Sequence, residues 1–119
     1  MSAPQRQRFE LRREGDVAVV TLLDPKILDE ENIRILGEQL FKLVDEEGHT
    51  KVLIRFGRVE FLSGTALLKF ILLNHKLKSH QGRLVLCEIN PETYEVFEIT
   101  KMNKLFNIQK TEKAGLAAF

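Results

Sequence analysis

Short apolar runs alternate with helix-length segments along most of this 119-residue chain. The runs 16–23, 51–56 and 83–89 have the length of buried strands, and a helical pattern lies between each successive pair. A strand–helix–strand crossover joins parallel strands and is right-handed by default. Two such crossovers in succession predict an α/β fold whose mixed sheet carries its helices mainly on one side.

Further elements are predicted before and after this unit. Phe9-Glu-Leu-Arg12 alternates apolar and polar residues as an exposed edge strand does, and Glu14-Gly15-Asp16 indicates a turn that makes a hairpin with the next strand. Residues 107–110 are predicted as a last short strand, and residues 111–119 as a terminal helix. The prediction is therefore a single domain, residues 1–119, with four to five strands and about four helices, in which residues 1–7 form a disordered tail.

Capping residues mark where three helices begin. Asp29 is a predicted N-cap, followed by two glutamates whose charges suit the positive end of the helix dipole. The second helix is predicted over Ser63–Gln81, and its apolar residues cover more than half of its circumference. Such a helix is heavily buried or presents an apolar face to a partner. Asn90-Pro91 begins the third, because proline is favoured at the first helical position.

Composition and charge narrow the classes of function. The net charge of +1 gives no broad attraction to nucleic acid or to an anionic membrane. The longest apolar stretches are far shorter than the ~20 residues that a membrane helix needs, and no targeting segment is visible. The expectation is a cytoplasmic protein with no membrane and no direct nucleic-acid partner. The single cysteine, Cys87, lies in an apolar run and is expected to be a buried thiol.

The sequence carries no pattern for catalysis, metal binding or cofactor binding. It lacks the glycine-rich loops that cradle nucleotide phosphates. His75 and His80 are five residues apart, which spreads them around a helix, and together with His49 they are interpreted as solvated helix-end residues. The acidic run 29–31 is better explained by helix capping than by a metal site. The chain is predicted to be a non-enzymatic protein without a metal or cofactor.

The strongest functional signal lies where a strand meets the second helix. Val59-Glu-Phe-Leu-Ser-Gly-Thr-Ala-Leu-Leu68 resembles the pattern of the STAS domain family of anti-sigma factor antagonists, in which Val-x-Phe-[Met/Leu] precedes Asp-Ser-[Ser/Thr]-Gly-Leu-Gly. Leu28-Asp29, residues 82–100, Leu105-Phe106 and residues 111–119 are also similar to family segments. The resemblance covers nearly the whole chain and implies the family's fold, with the same order of elements.

The resemblance also implies a partner and a switch. Family members bind an anti-sigma factor, often a serine/threonine kinase, and so free a sigma factor. Phosphorylation of a serine at the start of the second helix then breaks the complex. When Phe61-Leu62 is aligned with the family's Phe-Met, Ser63 takes the position of the aspartate and Gly64 that of the phosphorylated serine.

Glycine cannot accept a phosphate, which leaves two interpretations of Gly64. The protein is a constitutively active antagonist, or it serves a partner outside sigma-factor control as a STAS interaction module in a signalling assembly. Ser63 and Thr65 remain candidate phosphorylation sites. Each is displaced by one residue, and one residue turns a helix by about 100°.

We expect the partner-binding surface to centre on the start of the second helix. The predicted partner-binding residues are Asp29, Ser63, Gly64, Thr65, Leu68 and Lys69. Free backbone N–H groups at a helix start also favour a negative charge. An alternative hypothesis is therefore a small-ligand sensor that holds a nucleotide or another anion there. The expected oligomeric state is a monomer or a weak dimer.

Overall fold

The structure, a computed structural model, describes residues 6–119. Residues 1–5, the larger part of the predicted tail, lie outside the described residues. Arg6 and Gln7 precede the first strand. The Arg6 guanidinium donates to Asp24 Oδ1 at 3.0 Å, and the Arg6 carbonyl accepts from Gln39 Nε2 at 2.8 Å.

Residues 6–119 form seven strands, four α-helices and one short 3-10 helix at Met102–Lys104. The strands are β1 (Phe9–Glu14), β2 (Val17–Leu22), β3 (Lys26–Ile27), β4 (Lys51–Arg55), β5 (Phe61–Leu62), β6 (Arg83–Cys87) and β7 (Asn107–Gln109). The helices are α1 (Glu30–Asp45), α2 (Gly64–Ser79), α3 (Pro91–Ile99) and α4 (Glu112–Ala117).

Five of the strands form one mixed sheet in the order β1-β2-β4-β6-β7. β1 and β2 are an antiparallel hairpin, and β2, β4, β6 and β7 are parallel to one another. The hairpin turn holds Gly15 at φ +61°, in the left-handed region that glycine adopts without strain. The predicted α/β fold, with its hairpin and crossovers, is confirmed.

The other two strands are too short for the sequence to predict. β3 and β5 pair in parallel, with Ile27 opposite Leu62. The Ser63 N–H extends this ladder by donating to the Ile27 carbonyl at 3.1 Å. A two-residue strand has no measurable periodicity, and the neighbouring Pro25 indicates only that β2 has ended. This small ladder holds the start of α2 beside the segment that precedes α1.

The sheet separates two hydrophobic clusters of different size. The larger cluster packs α1, α2 and α3 on one face and includes Phe56, whose ring lies 5.3 Å from that of Phe70 and 6.4 Å from that of Phe97 between centroids. The smaller cluster contains Leu53 and Cys87 and packs against residues at the C-terminal end of the chain. Three helices on one face and α4 on the other agree with the predicted arrangement.

Cys87 is buried, as predicted. Its burial in the smaller cluster raises the pKa of the thiol to about 12, because an apolar environment disfavours the thiolate. The thiol is therefore a packing group rather than a nucleophile at neutral pH.

One histidine departs from the prediction. His75 and His80 are exposed, but His49 is buried at 8% exposure, so its interpretation as a solvated residue is wrong. The chain turns at Gly48, with φ +72°, and the His49 N–H then donates to the Leu43 carbonyl at 2.9 Å. This turn folds the loop back over the end of α1, a packing contact that local sequence does not specify.

Gly82, which lies between α2 and β6, is in close contact with the backbone of Thr50. A Cβ on Gly82 would lie 2.3 Å from the Thr50 carbonyl oxygen, a contact that backbone movement alone could relieve. We expect Gly82→Ala to lower the free energy of unfolding in urea by about 2 kcal/mol or more. The matched control is Gly64→Ala, whose added Cβ meets nothing within 4 Å, and which should change stability by about 1 kcal/mol or less. Equal stability of the two variants would contradict this packing.

Candidate functional site

Three helices begin at the same edge of the sheet. Each of α1, α2 and α3 follows the carboxyl end of a parallel strand, so their N-termini share that edge. Asp29, Ser63 and Asn90 are their N-caps. The side-chain oxygen of each cap accepts a hydrogen bond from the N–H three residues later, at 3.0, 3.1 and 2.7 Å respectively. The predicted helix starts are confirmed.

The ladder of β3 and β5 brings two of these starts side by side. Because Ile27 pairs with Leu62, the segment leading to Asp29 runs beside the segment leading to Gly64. No acidic residue occupies the first turn of α2, whereas the first turn of α1 carries two and that of α3 carries one. The exposed Asp29 adds a further carboxylate at this edge.

The three residues at the start of α2 have different environments. Ser63 is half-buried, and its hydroxyl is engaged in the N-cap hydrogen bond. Gly64 and Thr65 are exposed. A Cβ on Gly64 would meet nothing within 4 Å, and its φ is not positive, so neither packing nor backbone conformation requires glycine here. The position could hold any small or polar residue without strain.

An exposed apolar stripe continues from this start along α2. Leu68 is 57% exposed and Leu72, one helical turn later, is 51% exposed. Phe61, in β5, and Leu28, directly after β3, are also about half exposed. We call the set formed by these residues the helix-start surface: Leu28, Asp29, Phe61, Gly64, Thr65, Leu68 and Leu72.

Sequence reasoning identifies only part of this surface. The apolar residues of α2 cover so much of the helix that the exposed ones cannot be distinguished from the buried ones by pattern. Tertiary packing determines which of them are exposed: Leu67 and Phe70 are buried in the core, whereas Leu68 and Leu72 are exposed. Phe61 is missed because β5 is not predicted.

Lys69, which is predicted to contact a partner, lies off the exposed stripe. It is half-buried, and its aliphatic chain crosses α1 at Gly37, where an added Cβ would lie 2.9 Å from Lys69 Cδ. The small residue on α1 makes room for this chain. Lys69 thus packs α2 against α1 through its aliphatic chain.

Acidic residues lie at two of the three helix starts. The cleft at the start of α3, of about 260 Å³, is lined by Glu60, Phe61 and Glu92 among others. Carboxylates therefore lie at the starts of α1 and α3, whereas the first turn of α2, where the small-ligand hypothesis places an anion, carries none.

Two other kinds of feature are absent from residues 6–119. Within that range, no group of three or more histidine, cysteine, aspartate or glutamate side chains is placed to hold a metal ion. None of the helices described there is long and apolar enough to cross a bilayer.

The sequence model of the STAS domain family matches residues 8–115. The chain belongs to the STAS domain family. It is also 33% identical over 93 residues to a Bordetella bronchiseptica protein named "Putative anti-sigma factor antagonist BtrV", an alignment that covers 78% of this chain and 79% of that protein. The resemblance carried by residues 59–68 is thereby confirmed.

Solved structures confirm the fold of this STAS domain. An anti-sigma factor antagonist from Mycobacterium paratuberculosis is similar with a TM-score of 0.81 and 22% identity, over 99% of this chain and 97% of that chain. An anti-sigma-factor antagonist (STAS) domain protein from Planctomyces limnophilus is similar with a TM-score of 0.82 and 19% identity, over 96% and 98% of the two chains. The mixed sheet with four helices is the architecture that these proteins share.

The cap of α2 can be tested by substitution. We expect Ser63→Ala to lower the free energy of unfolding by about 1 kcal/mol, because the Ala66 N–H loses its acceptor. Ser63→Asp should retain most of the stability that the cap provides, because a carboxylate also accepts this hydrogen bond. Urea unfolding of both variants measures this difference. The exposed neighbour serves as control: Thr65→Ala should cost less than Ser63→Ala. A neutral Ser63→Ala would show that the hydroxyl does not cap the helix.

Proposed function

We propose that this STAS domain is an anti-sigma factor antagonist, a non-enzymatic regulator that binds an anti-sigma factor and so frees a sigma factor. The relative that is 33% identical is named for this role, and the fold is shared with antagonists of known structure. The observation that carries the proposal is the helix-start surface, where exposed leucines adjoin an open, uncharged Gly64.

Docking through this surface has a clear physical basis. Burial of apolar side chains such as Leu68, Leu72 and Phe61 releases roughly 25 cal/mol per Å² of area removed from water. Interfaces draw most of their affinity from a few such anchors near the centre. Gly64 adds no bulk there, so a partner can approach the backbone at the start of α2.

The proposed partner is an anti-sigma factor of the serine/threonine kinase type, and the complex lacks a phosphorylation switch at residue 64. A phosphate would add about −1.5 to −2 charges to a surface that must lose water on docking. Gly64 has no hydroxyl to receive it. Of the neighbouring hydroxyls, Thr65 is exposed, whereas Ser63 is half-buried and engaged in the N-cap. Thr65 is therefore the more accessible phosphorylation site.

A charge at residue 64 tests the docking surface. Affinity capture from a lysate of the native cell, quantified by mass spectrometry, should retain a kinase-type anti-sigma factor on the wild-type protein. We expect Gly64→Glu to reduce its recovery roughly tenfold or more, which corresponds to at least ~1.4 kcal/mol. The variant should stay folded, since the added side chain meets open space and an acidic residue suits a helix start.

The matched control for this experiment is Thr50→Glu. It adds the same charge at an exposed position at the amino end of β4, away from the helix starts, and should leave recovery unchanged. Undiminished recovery on Gly64→Glu would remove this surface from the proposal. Recovery of other signalling proteins in place of an anti-sigma factor would favour the interaction-module hypothesis.

Restoring a hydroxyl at residue 64 tests the missing switch. With the captured kinase and ATP, we expect Gly64→Ser to gain a phosphate on residue 64 and to lose its partner, while the wild-type protein stays bound. Mass spectrometry locates the phosphate, and capture measures the binding. A wild-type protein that is phosphorylated on Thr65 and then released would show that the switch has moved rather than disappeared.

A further inference from the structure

β1 presents an unpaired edge on the side away from β2. It is the first strand in the sheet order, and within residues 6–119 it pairs only with β2. The Leu23 N–H donates to the Arg8 carbonyl at 3.1 Å, and hydrogen-bonded pairs alternate along an antiparallel ladder. The backbone groups of Glu10 and Arg12 therefore face β2, and those of Phe9, Leu11 and Arg13 face outward.

The side chains of β1 are complementary to those of β1 in a second copy when the pairing is centred on Leu11. If a second copy pairs antiparallel with Leu11 opposite Leu11, then Phe9 lies opposite Arg13 and their outward backbone groups hydrogen-bond. The same register sets Glu10 opposite Arg12 twice. Opposite charges that face each other across a strand pair stabilise it, and like charges destabilise it.

The faces of the two sheets also match in this register. Phe9 is buried in the larger cluster, and Leu11, at 41% exposure, lies on the same face, where it lines a cleft of about 510 Å³ with Ile35 and Leu43. Arg12 lies on the α4 face, where it donates to Glu112 at 2.6 Å. A two-fold axis perpendicular to the sheet places the larger-cluster faces of both copies on the same side, and both α4 faces on the other. The two Leu11 side chains therefore meet where the two clefts adjoin.

We propose that β1 binds β1 of a second copy of this chain and forms a continuous sheet about a two-fold axis at Leu11. Charged residues on an edge strand commonly prevent such pairing. Here the order Glu10-Leu11-Arg12 places each glutamate opposite an arginine of the second copy, so the charges favour pairing. One six-residue strand makes a small interface, so the dimer is weak and depends on concentration.

Cysteine crosslinking tests the register of this pairing. The Cα atoms of a hydrogen-bonded antiparallel pair are about 5.5 Å apart, within the range of a disulfide. We expect Leu11→Cys to crosslink into a dimer under mild oxidation. The control is Arg13→Cys, whose two copies would lie about 14 Å apart along the strands and should not crosslink. Cys87 is buried and common to both variants.

Charge reversal supplies an independent measurement by analytical ultracentrifugation over a range of concentrations. Glu10→Arg should raise the dimer dissociation constant roughly tenfold or more, because it sets arginine against Arg12 twice. The double variant Glu10→Arg with Arg12→Glu should restore dimerisation. Glu95→Arg makes the same charge change on an exposed part of α3 and should have no effect.

Three results would overturn the proposal. They are a wild-type protein that stays monomeric at its highest soluble concentration, equal crosslinking by the two cysteine variants, and a dimer that tolerates Glu10→Arg. The test does not depend on the proposed antagonist role, since β1 contributes no residue to the helix-start surface.

Discussion

Parallel pairing of β2, β4 and β6 is the constraint on which the rest of this structure depends. Their central residues are buried on both faces, as Leu53 and Ile54 show by lying in different clusters with no exposed surface. A parallel sheet must be covered on both sides because its strands are apolar throughout. α1, α2 and α3 cover one face, and the short α4 is sufficient for the smaller cluster on the other.

The same constraint determines where the proposed docking surface lies. Parallel strands end at one edge, so the helices that follow them begin at that edge with their backbone N–H groups exposed. The β3–β5 ladder then sets the segment before α1 beside the start of α2, through contacts such as Ser63 N–H to the Ile27 carbonyl. The helix-start surface results from these two features of the fold. Its apolar side chains, such as Leu68 and Leu72, are exposed and are the proposed contacts for a partner.

Gly64 connects the fold to the proposed mechanism. Nothing in the surrounding structure requires a glycine at this position, since an added Cβ would enter open space. A side chain with a hydroxyl would fit equally well, and family resemblance places the phosphorylated serine here. In the proposed function, the absence of that hydroxyl therefore bears on regulation and not on stability. In the proposed antagonist, the docking surface stays in its uncharged form.

Local signals in the chain were sufficient for the longer strands, the α-helices and the helix caps. Asp29, Ser63 and Asn90 are N-caps in the structure because capping depends on residues within three positions of one another. The β3–β5 ladder, the burial of His49 and the exposure of Leu72 could not be predicted, since each depends on contacts between distant segments. The sequence by itself determined the α/β order, the helix starts and the residue at position 64. Only the tertiary structure decided which side of α2 faces solvent, because apolar residues cover more than half of the helix and its orientation is set by packing against α1 and the sheet.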